Sequence, residues 1–170
     1  MPYALIAKYS LYALAFGLAA GGLWLLLRRL RGAGPLENRG RITLAMVVYI
    51  AMLVEIIALR LGLQPVRWLN GIRPKLRPLQ TTLETWQIGP GSFVYNLLGN
   101  LLWFVPLGAL LRRLRPGLTW RGALLAGALL SLALEFTQFL LGTGTPDVDD
   151  VLYNSLGALL GYLLFSRDAA

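Results

Sequence analysis

The sequence predicts an all-α protein, a polytopic integral membrane bundle of about five transmembrane helices that forms a single domain over residues 1–170. Hydrophobic residues make up 56% of the 170 residues, and they are gathered in long apolar blocks. A helix rises about 1.5 Å per residue, so roughly 20 apolar residues cross the ~30 Å hydrocarbon core of a bilayer. A soluble helical bundle would need a polar face on each helix, and these blocks lack one.

Five apolar blocks account for the predicted spans, and the fifth is short unless its flanks extend it. They cover residues 5–27, 42–61, 94–111, 121–141 and 151–165. We expect the first block to be a permanent helix, because it is too long for a secretory signal peptide and its charges Arg28, Arg29 and Arg31 follow it. The long loop at 62–92 is rich in proline, and its residues 79–86 predict a short interfacial helix.

Arginine density predicts the orientation of the chain in the membrane. The short loops after the first and third spans are dense in arginine, and such loops face the cytoplasm. The loop at 62–92 spreads its basic residues widely, and the loop after the fourth span has none. We therefore expect the N-terminus outside and the C-terminus in the cytoplasm. The net charge of +8 follows from these loops, so no nucleic-acid partner is expected.

The chain contains no cysteine and no histidine. Disulfides, thiolate nucleophiles, serine-histidine-aspartate triads and the usual zinc sites are therefore excluded. Any catalysis must use carboxylates, lysine, hydroxyls or a metal ion that prefers oxygen ligands, such as Mg or Mn.

Most acidic residues fall in the predicted outer half of the bilayer or outside it. Ionisable residues within the membrane cost about 2.5 to 3.5 kcal/mol each on insertion scales, so they rarely persist without a partner or a function. Their spacings, such as i,i+3 or i,i+4, give each of the last three spans one polar face. Glu55 and Glu84 also lie in this outer half or outside the bilayer, and Glu55 is the least constrained of the acidic residues. The candidate functional cluster comprises Asn96, Asn100, Glu135, Gln138, Asp147, Asp149, Asp150 and Asn154.

Structural roles are open alternatives for this cluster. In the stretch TPDVDD, Thr145 is a candidate N-cap with Pro146 in the first helical position, and the following acids would complement the helix dipole. The asparagines could form hydrogen bonds between helices, and Glu135 could pair with an arginine of the loop at 62–92. Two GxxxG pairs, at residues 17–21 and 157–161, predict close helix packing within the chain or between subunits, so the oligomeric state stays open.

Three runs in the second half of the chain resemble the VanZ-like family of bacterial membrane proteins in their order and spacing. They are NLLGNLLWFVPLGALL from Asn96, SLALEFTQFLL from Ser131 and PDVDDVLYNSLGALLGYL from Pro146, within residues 94–165. The resemblance implies a multi-pass protein of the bacterial cytoplasmic membrane, associated with teicoplanin resistance. It implies signature residues at Asn100, Pro106, Gly108, Glu135, Gln138, Asp147, Asp149, Asp150, Asn154 and Gly157. Gly144 stands where the family often has arginine, and LRPLQTT from Leu76 replaces an Asn-Pro-Phe-like segment.

Two functions follow from these observations. The first is a cell-envelope protein whose outward polar pocket binds a lipid-linked or glycan precursor among membrane lipids and so alters susceptibility to glycopeptides. The second is an intramembrane enzyme in which Glu135, Asp147, Asp149 and Asp150 hold Mg or Mn and act on a phosphate-bearing lipid. The sequence leaves open whether the protein is an enzyme.

Overall fold

The computed structural model describes residues 2–59 and 73–165, with side chains described from residue 10 onward. In these ranges the chain forms six α-helices, which follow in order. They are α1 (Pro2–Leu30), α2 (Asn38–Leu53), α3 (Gln80–Ile88), α4 (Pro90–Leu114), α5 (Trp120–Leu141) and α6 (Val148–Leu164). Helix α2 continues directly into a π-helical turn over Val54–Leu59. The short helix predicted at 79–86 is confirmed as α3.

Four of the described helices are long and apolar enough to cross a membrane. They are the α1 segment Ser10–Leu30, α2 with its π-helical turn, α4 and α5. Helix α6 lies at the fifth, short apolar block of the prediction, and its 17 residues are fewer than the roughly 20 that cross a bilayer. The all-α polytopic bundle expected from the sequence is therefore confirmed.

The outer surface of the described bundle is largely apolar, and several acidic side chains are buried inside it. Large leucines such as Leu18, Leu129 and Leu163 lie on the outside, whereas Glu55 and Asp149 are completely buried. In soluble proteins acidic residues are almost never fully buried unless they are paired, and large exposed leucines are suited to contact with lipid. The exterior of the bundle is thus suited to a hydrocarbon environment.

Helices α4 and α6 are parallel and pack with their backbones in close contact. Asn100 pairs with Asp150 near the start of both helices, and Arg112 donates to the Tyr162 carbonyl near their ends. A Cβ atom added to Gly157 would lie 2.1 Å from the Leu101 carbonyl oxygen. Only glycine permits this separation, so the GxxxG pair of α6 packs inside the chain.

The first pair of helices packs in the same manner. A Cβ atom at Gly17 would lie 2.7 Å from Met52 Cγ, and one at Gly21 would lie 2.8 Å from Val48 Cγ2. Both contacts join α1 to α2. The glycine pairs predicted from the sequence therefore close within one chain, which answers the question that the sequence left open for these four positions.

A small apolar core lies between the helices and positions the helix faces that carry the buried polar residues. It contains Leu53, Ala58, Phe104, Leu134 and Ala158, which come from four helices and the π-helical turn. Antiparallel α2 and α4 are also linked by a hydrogen bond of 2.8 Å from the Tyr49 hydroxyl to the Trp103 carbonyl. This core holds α2, α4, α5 and α6 together.

Candidate functional site

The helices alternate in direction, so the π-helical turn, the start of α4, the end of α5 and the start of α6 meet at one end of the bundle. Helix α3 lies across the same end, which we call the polar end. The opposite, basic end contains the arginines that follow α1 and end α4. Polar residues from distant parts of the sequence are therefore brought together, as the sequence analysis expected.

Asp147 is the N-cap residue of α6. Its Oδ1 accepts the Asp149 N–H at 2.9 Å, and its Oδ2 accepts the hydroxyl of Thr81 on α3. Its own backbone N–H donates to Glu135 Oε2 at 3.0 Å. The prediction of Thr145 as N-cap is wrong by two residues, because the Pro146 carbonyl accepts the Lys75 N–H and keeps this stretch extended.

Asp149 joins α6 to α3 and is completely buried. Its Oδ1 accepts the backbone N–H of Leu79 at 2.5 Å. Its Oδ2 accepts the backbone N–H and the hydroxyl of Thr82, at 2.9 and 3.0 Å. Tyr153, one turn further along α6, shares a hydrogen bond with the same hydroxyl. The second aspartate of the motif is therefore bound to the first turn of α3.

Lys75 links the segment before α3 to the start of α6. Its backbone donates to the Pro146 carbonyl at 2.8 Å and accepts the Val148 N–H at 3.0 Å, which forms a parallel bridge. Its Nζ lies 3.0 Å from Thr81 Oγ1 and 2.5 Å from Glu84 Oε2. The hydrogen bond from Lys75, followed by one from Gln80, lowers the pKa of the Glu84 carboxyl below its ordinary value.

Two polar pairs lie deeper along α6. Asn100 on α4 donates to Asp150 Oδ1. Asn154 donates to the Ser131 hydroxyl of α5 at 2.8 Å, and both residues are buried. Asp150 and Asn154 thus contact different neighbouring helices, although their spacing places them on one half of α6. The Asn154 Oδ1 atom has no partner among the described residues.

Gln138 and Thr143 donate hydrogen bonds to carbonyl groups of the π-helical turn. Gln138 Nε2 donates to the Ile57 carbonyl at 2.8 Å, and the Thr143 hydroxyl donates to the Ala58 carbonyl at 2.6 Å. Gly144 lies against the Gln138 amide, since a Cβ there would be 2.7 Å from Nε2. Gly144, the position where the family often has arginine, therefore leaves little room for a larger side chain beside Gln138.

Two further polar residues lie near the polar end. Asn96 is half-buried one turn before Asn100 on α4, and within the described ranges its side chain forms no hydrogen bond. Glu55 is completely buried in the π-helical turn, although the sequence analysis left it out of the candidate cluster. The sequence feature that could have identified Glu55 is its position as an acidic residue inside an apolar block. No sequence feature of this kind distinguishes Thr81, Thr82 and Tyr153, which were therefore not selected as candidates.

The carboxylates do not assemble into a group with free oxygen atoms facing one point. Both oxygens of Asp147 and both of Asp149 accept hydrogen bonds from protein groups. In the part of the chain that the structure describes, no group of three or more acidic side chains is arranged to hold a metal ion. The predicted metal site at Glu135, Asp147, Asp149 and Asp150 gains no support from this geometry.

Two open surfaces adjoin the polar end. A polar hollow of about 350 Å³ lies on the outer face of α3 and is lined by Arg77, Pro78, Gln80, Leu83, Glu84 and Gln87. An apolar groove of about 720 Å³ follows one face of α4, with Gly91 at its start and Pro106 at its end. The groove begins three residues after the last residue of α3.

Comparison with known proteins gives the family. A family model described as VanZ/LLP1 matches residues 46–167, which is more than half of the chain. The chain belongs to the VanZ/LLP1 family. No curated protein and no solved structure matches it. The resemblance first noted at residues 94–165 is thus confirmed and extends to α2, so the VanZ/LLP1 region includes every residue of the polar end described above. The protein is a VanZ-like, multi-pass membrane protein.

Proposed function

We propose that this VanZ/LLP1 protein acts at the bacterial cell envelope, where its polar end faces outward and binds the headgroup of a lipid-linked or glycan precursor. Binding would change how much precursor is accessible to glycopeptides such as teicoplanin. The polar hollow on α3 carries this proposal, because it is an open surface with a cation, amides and a carboxylate beside a lipid-facing helix.

The residues of the polar hollow suit a phosphate next to a sugar. Arg77 is exposed, and a guanidinium binds phosphate oxygens through two parallel N–H groups. Gln80 and Gln87 offer amide donors and acceptors for hydroxyl or acetamido groups. Glu84 is an acceptor whose orientation is held by Lys75 and Gln80.

The apolar groove on α4 supports a ligand with a hydrocarbon chain. Val94, Leu98 and Leu102 line it at helical spacing, so it runs along the helix axis. Its first residue lies close in sequence to α3, which carries the polar hollow. A lipid whose chain follows α4 would therefore bring its headgroup to the level of α3.

The distribution of charge supports the outward orientation of the polar end. The basic end collects Arg28, Arg112, Arg113 and Arg121, and arginine-rich ends of transmembrane helices face the cytoplasm. Binding is favoured over catalysis because the oxygens of Asp147 and Asp149 are already hydrogen-bonded inside the protein.

A binding measurement on purified protein in nanodiscs tests the proposal. The probe is an isoprenyl diphosphate that carries a disaccharide, and the controls are the isoprenyl alcohol and phosphatidylglycerol. Arg77→Gln should weaken binding of the probe about tenfold or more, since hydrogen bonds to charged groups contribute roughly 1.5 to 3 kcal/mol. Arg73→Gln is the matched control, because Arg73 is exposed in the same segment and does not line the hollow.

Cells that express each variant are then compared for teicoplanin susceptibility at equal protein levels in the membrane. Arg77→Gln should lose any protection conferred by the wild type, and Arg73→Gln should keep it. Equal affinity for the isoprenyl alcohol and the diphosphate, or equal effects of the two arginine variants, would contradict headgroup binding at the polar hollow.

A further inference from the structure

We infer that Asp149 is a positioning residue, which caps α3 from another helix and so builds the surface that carries the polar hollow. The consequence for ligand binding rests on the proposed function above, whereas the capping itself does not. The aspartate motif at 147–150 then serves to assemble the polar end, and its first two carboxylates do not need a metal ligand to explain them.

Helix α3 cannot supply its own cap. Leu79 occupies its N-cap position, and leucine has no side-chain acceptor for the free N–H groups of the first turn. Leu79 also has a φ of 63°, which is rare for a residue other than glycine. A helix of nine residues is only marginally stable in isolation, so α3 depends on contacts with the rest of the chain.

Asp149 provides the missing acceptor. A normal N-cap side chain accepts the N–H two or three residues later, and Thr82 is three residues after Leu79. The Asp149 carboxylate accepts that N–H at 2.9 Å and the Leu79 N–H at 2.5 Å. Its negative charge also lies at the positive end of the α3 dipole.

The spacing of the motif explains how two helices are capped together. Asp147 caps α6 through the Asp149 N–H, and this bond fixes the backbone from which the Asp149 side chain extends to α3. Residues 81 and 82 are thereby turned inward, toward Asp147 and Asp149. Gln80, Glu84 and Gln87, at i,i+4,i+7, are left on the outer face that forms the polar hollow.

Hydrogen–deuterium exchange of the whole protein in nanodiscs, without ligand, tests this inference. Asp149→Ala should increase exchange of the segment 75–88 about tenfold, which is within the roughly two- to thirtyfold range expected for loss of a helix cap. Asp150→Ala is the matched control, because Asp150 pairs with Asn100 on α4 and should leave the segment unchanged. Asp149→Asn keeps one acceptor oxygen and should increase exchange no more than about threefold.

The conservative variant separates capping from metal binding. A capping role predicts this rescue by asparagine and no effect of a chelator on exchange of the segment 75–88. Equal loss of protection in Asp149→Ala and Asp149→Asn, or a chelator effect in the wild type, would overturn the inference. If Asp149→Ala does not accumulate, Asp149→Asn is compared with Asp150→Asn: faster exchange of the segment 75–88 in Asp149→Asn supports the inference, and equal exchange in the two variants overturns it.

The two proposals fail separately. The exchange experiment contains no ligand, so a protein that binds no precursor can still show capping by Asp149. Conversely, unchanged exchange in the Asp149 variants would refute capping even if Arg77→Gln weakens binding of the diphosphate probe.

Discussion

The carbonyl oxygen of Val105 lies 1.8 Å from the point that a Cβ atom of residue 161 would occupy. Gly161→Ala should therefore force α4 and α6 apart and lower the free energy of unfolding by about 1 to 3 kcal/mol or more, as overpacking does. Thermal unfolding in detergent measures this change. Gly99→Ala is the control, because among the described residues nothing lies within 4 Å of a Cβ there. Equal effects of the two variants would contradict the close packing.

Thr143→Val and Gln138→Leu should each destabilise the protein, because they remove the donors to the carbonyl groups of the π-helical turn. A buried acceptor without a donor costs about 1 to 3 kcal/mol. Thr137→Val is the control, since that hydroxyl donates within its own helix, to Ala133, on an exposed face. A thermal stability of Thr143→Val that matches that of Thr137→Val would argue against support of this turn by α5.

The Glu84 carboxyl should titrate below the ordinary pH range of glutamate, because Lys75 and Gln80 stabilise its charged form. Its stabilising contribution is present above the unfolded pKa and is lost as the pH falls through the lowered folded pKa. Since Glu84 is nearly half exposed, that contribution is small. A carbon-detected NMR titration of Glu84 measures the pKa, and Lys75→Met should raise it; an unchanged value would contradict the ion pair.

The orientation of the bundle can be measured with single cysteines, since the chain contains none. Exposed positions suited to this purpose are Ala33 and Gly117 at the basic end, with Gln87 and Thr145 at the polar end. An impermeant thiol reagent should label intact cells at residues 87 and 145 alone, as the arginine distribution predicts. The opposite pattern would place the polar hollow in the cytoplasm and exclude the proposed function.

The apolar spans and the grouping of polar residues at one end could be predicted from the sequence, because both depend on local patterns of residue type and spacing. The length of an apolar block sets its reach across a bilayer, and the spacing of residues such as Glu135 and Gln138 sets the helix face they share. Both residues lie buried at the polar end. The start of α6 was less predictable, because the Pro146 carbonyl is engaged by Lys75, a residue 71 positions earlier.

The partners of the cluster could not be predicted, since they come from distant parts of the chain. No local rule connects Leu79 to Asp149, and an N-cap is normally sought within the same helix. Local sequence patterns predicted a helix near residue 80, but they did not identify Asp149 as the side chain that accepts the N–H groups at its N-terminus. The glycine pairs showed the same limit, because GxxxG indicates close approach and does not name the helix that approaches.

The parallel pairing of α4 with α6 has a consequence for biogenesis. During synthesis α4 and α5 are translated before α6. Asn100 and Ser131 therefore lack their hydrogen-bond partners until Asp150 and Asn154 have been translated. Until then the surfaces of α4 and α5 that α6 covers in the folded protein are exposed to the lipid or to the translocon. Insertion of α6 therefore supplies the partners of both polar groups, and a chain whose synthesis stops before residue 150 lacks them.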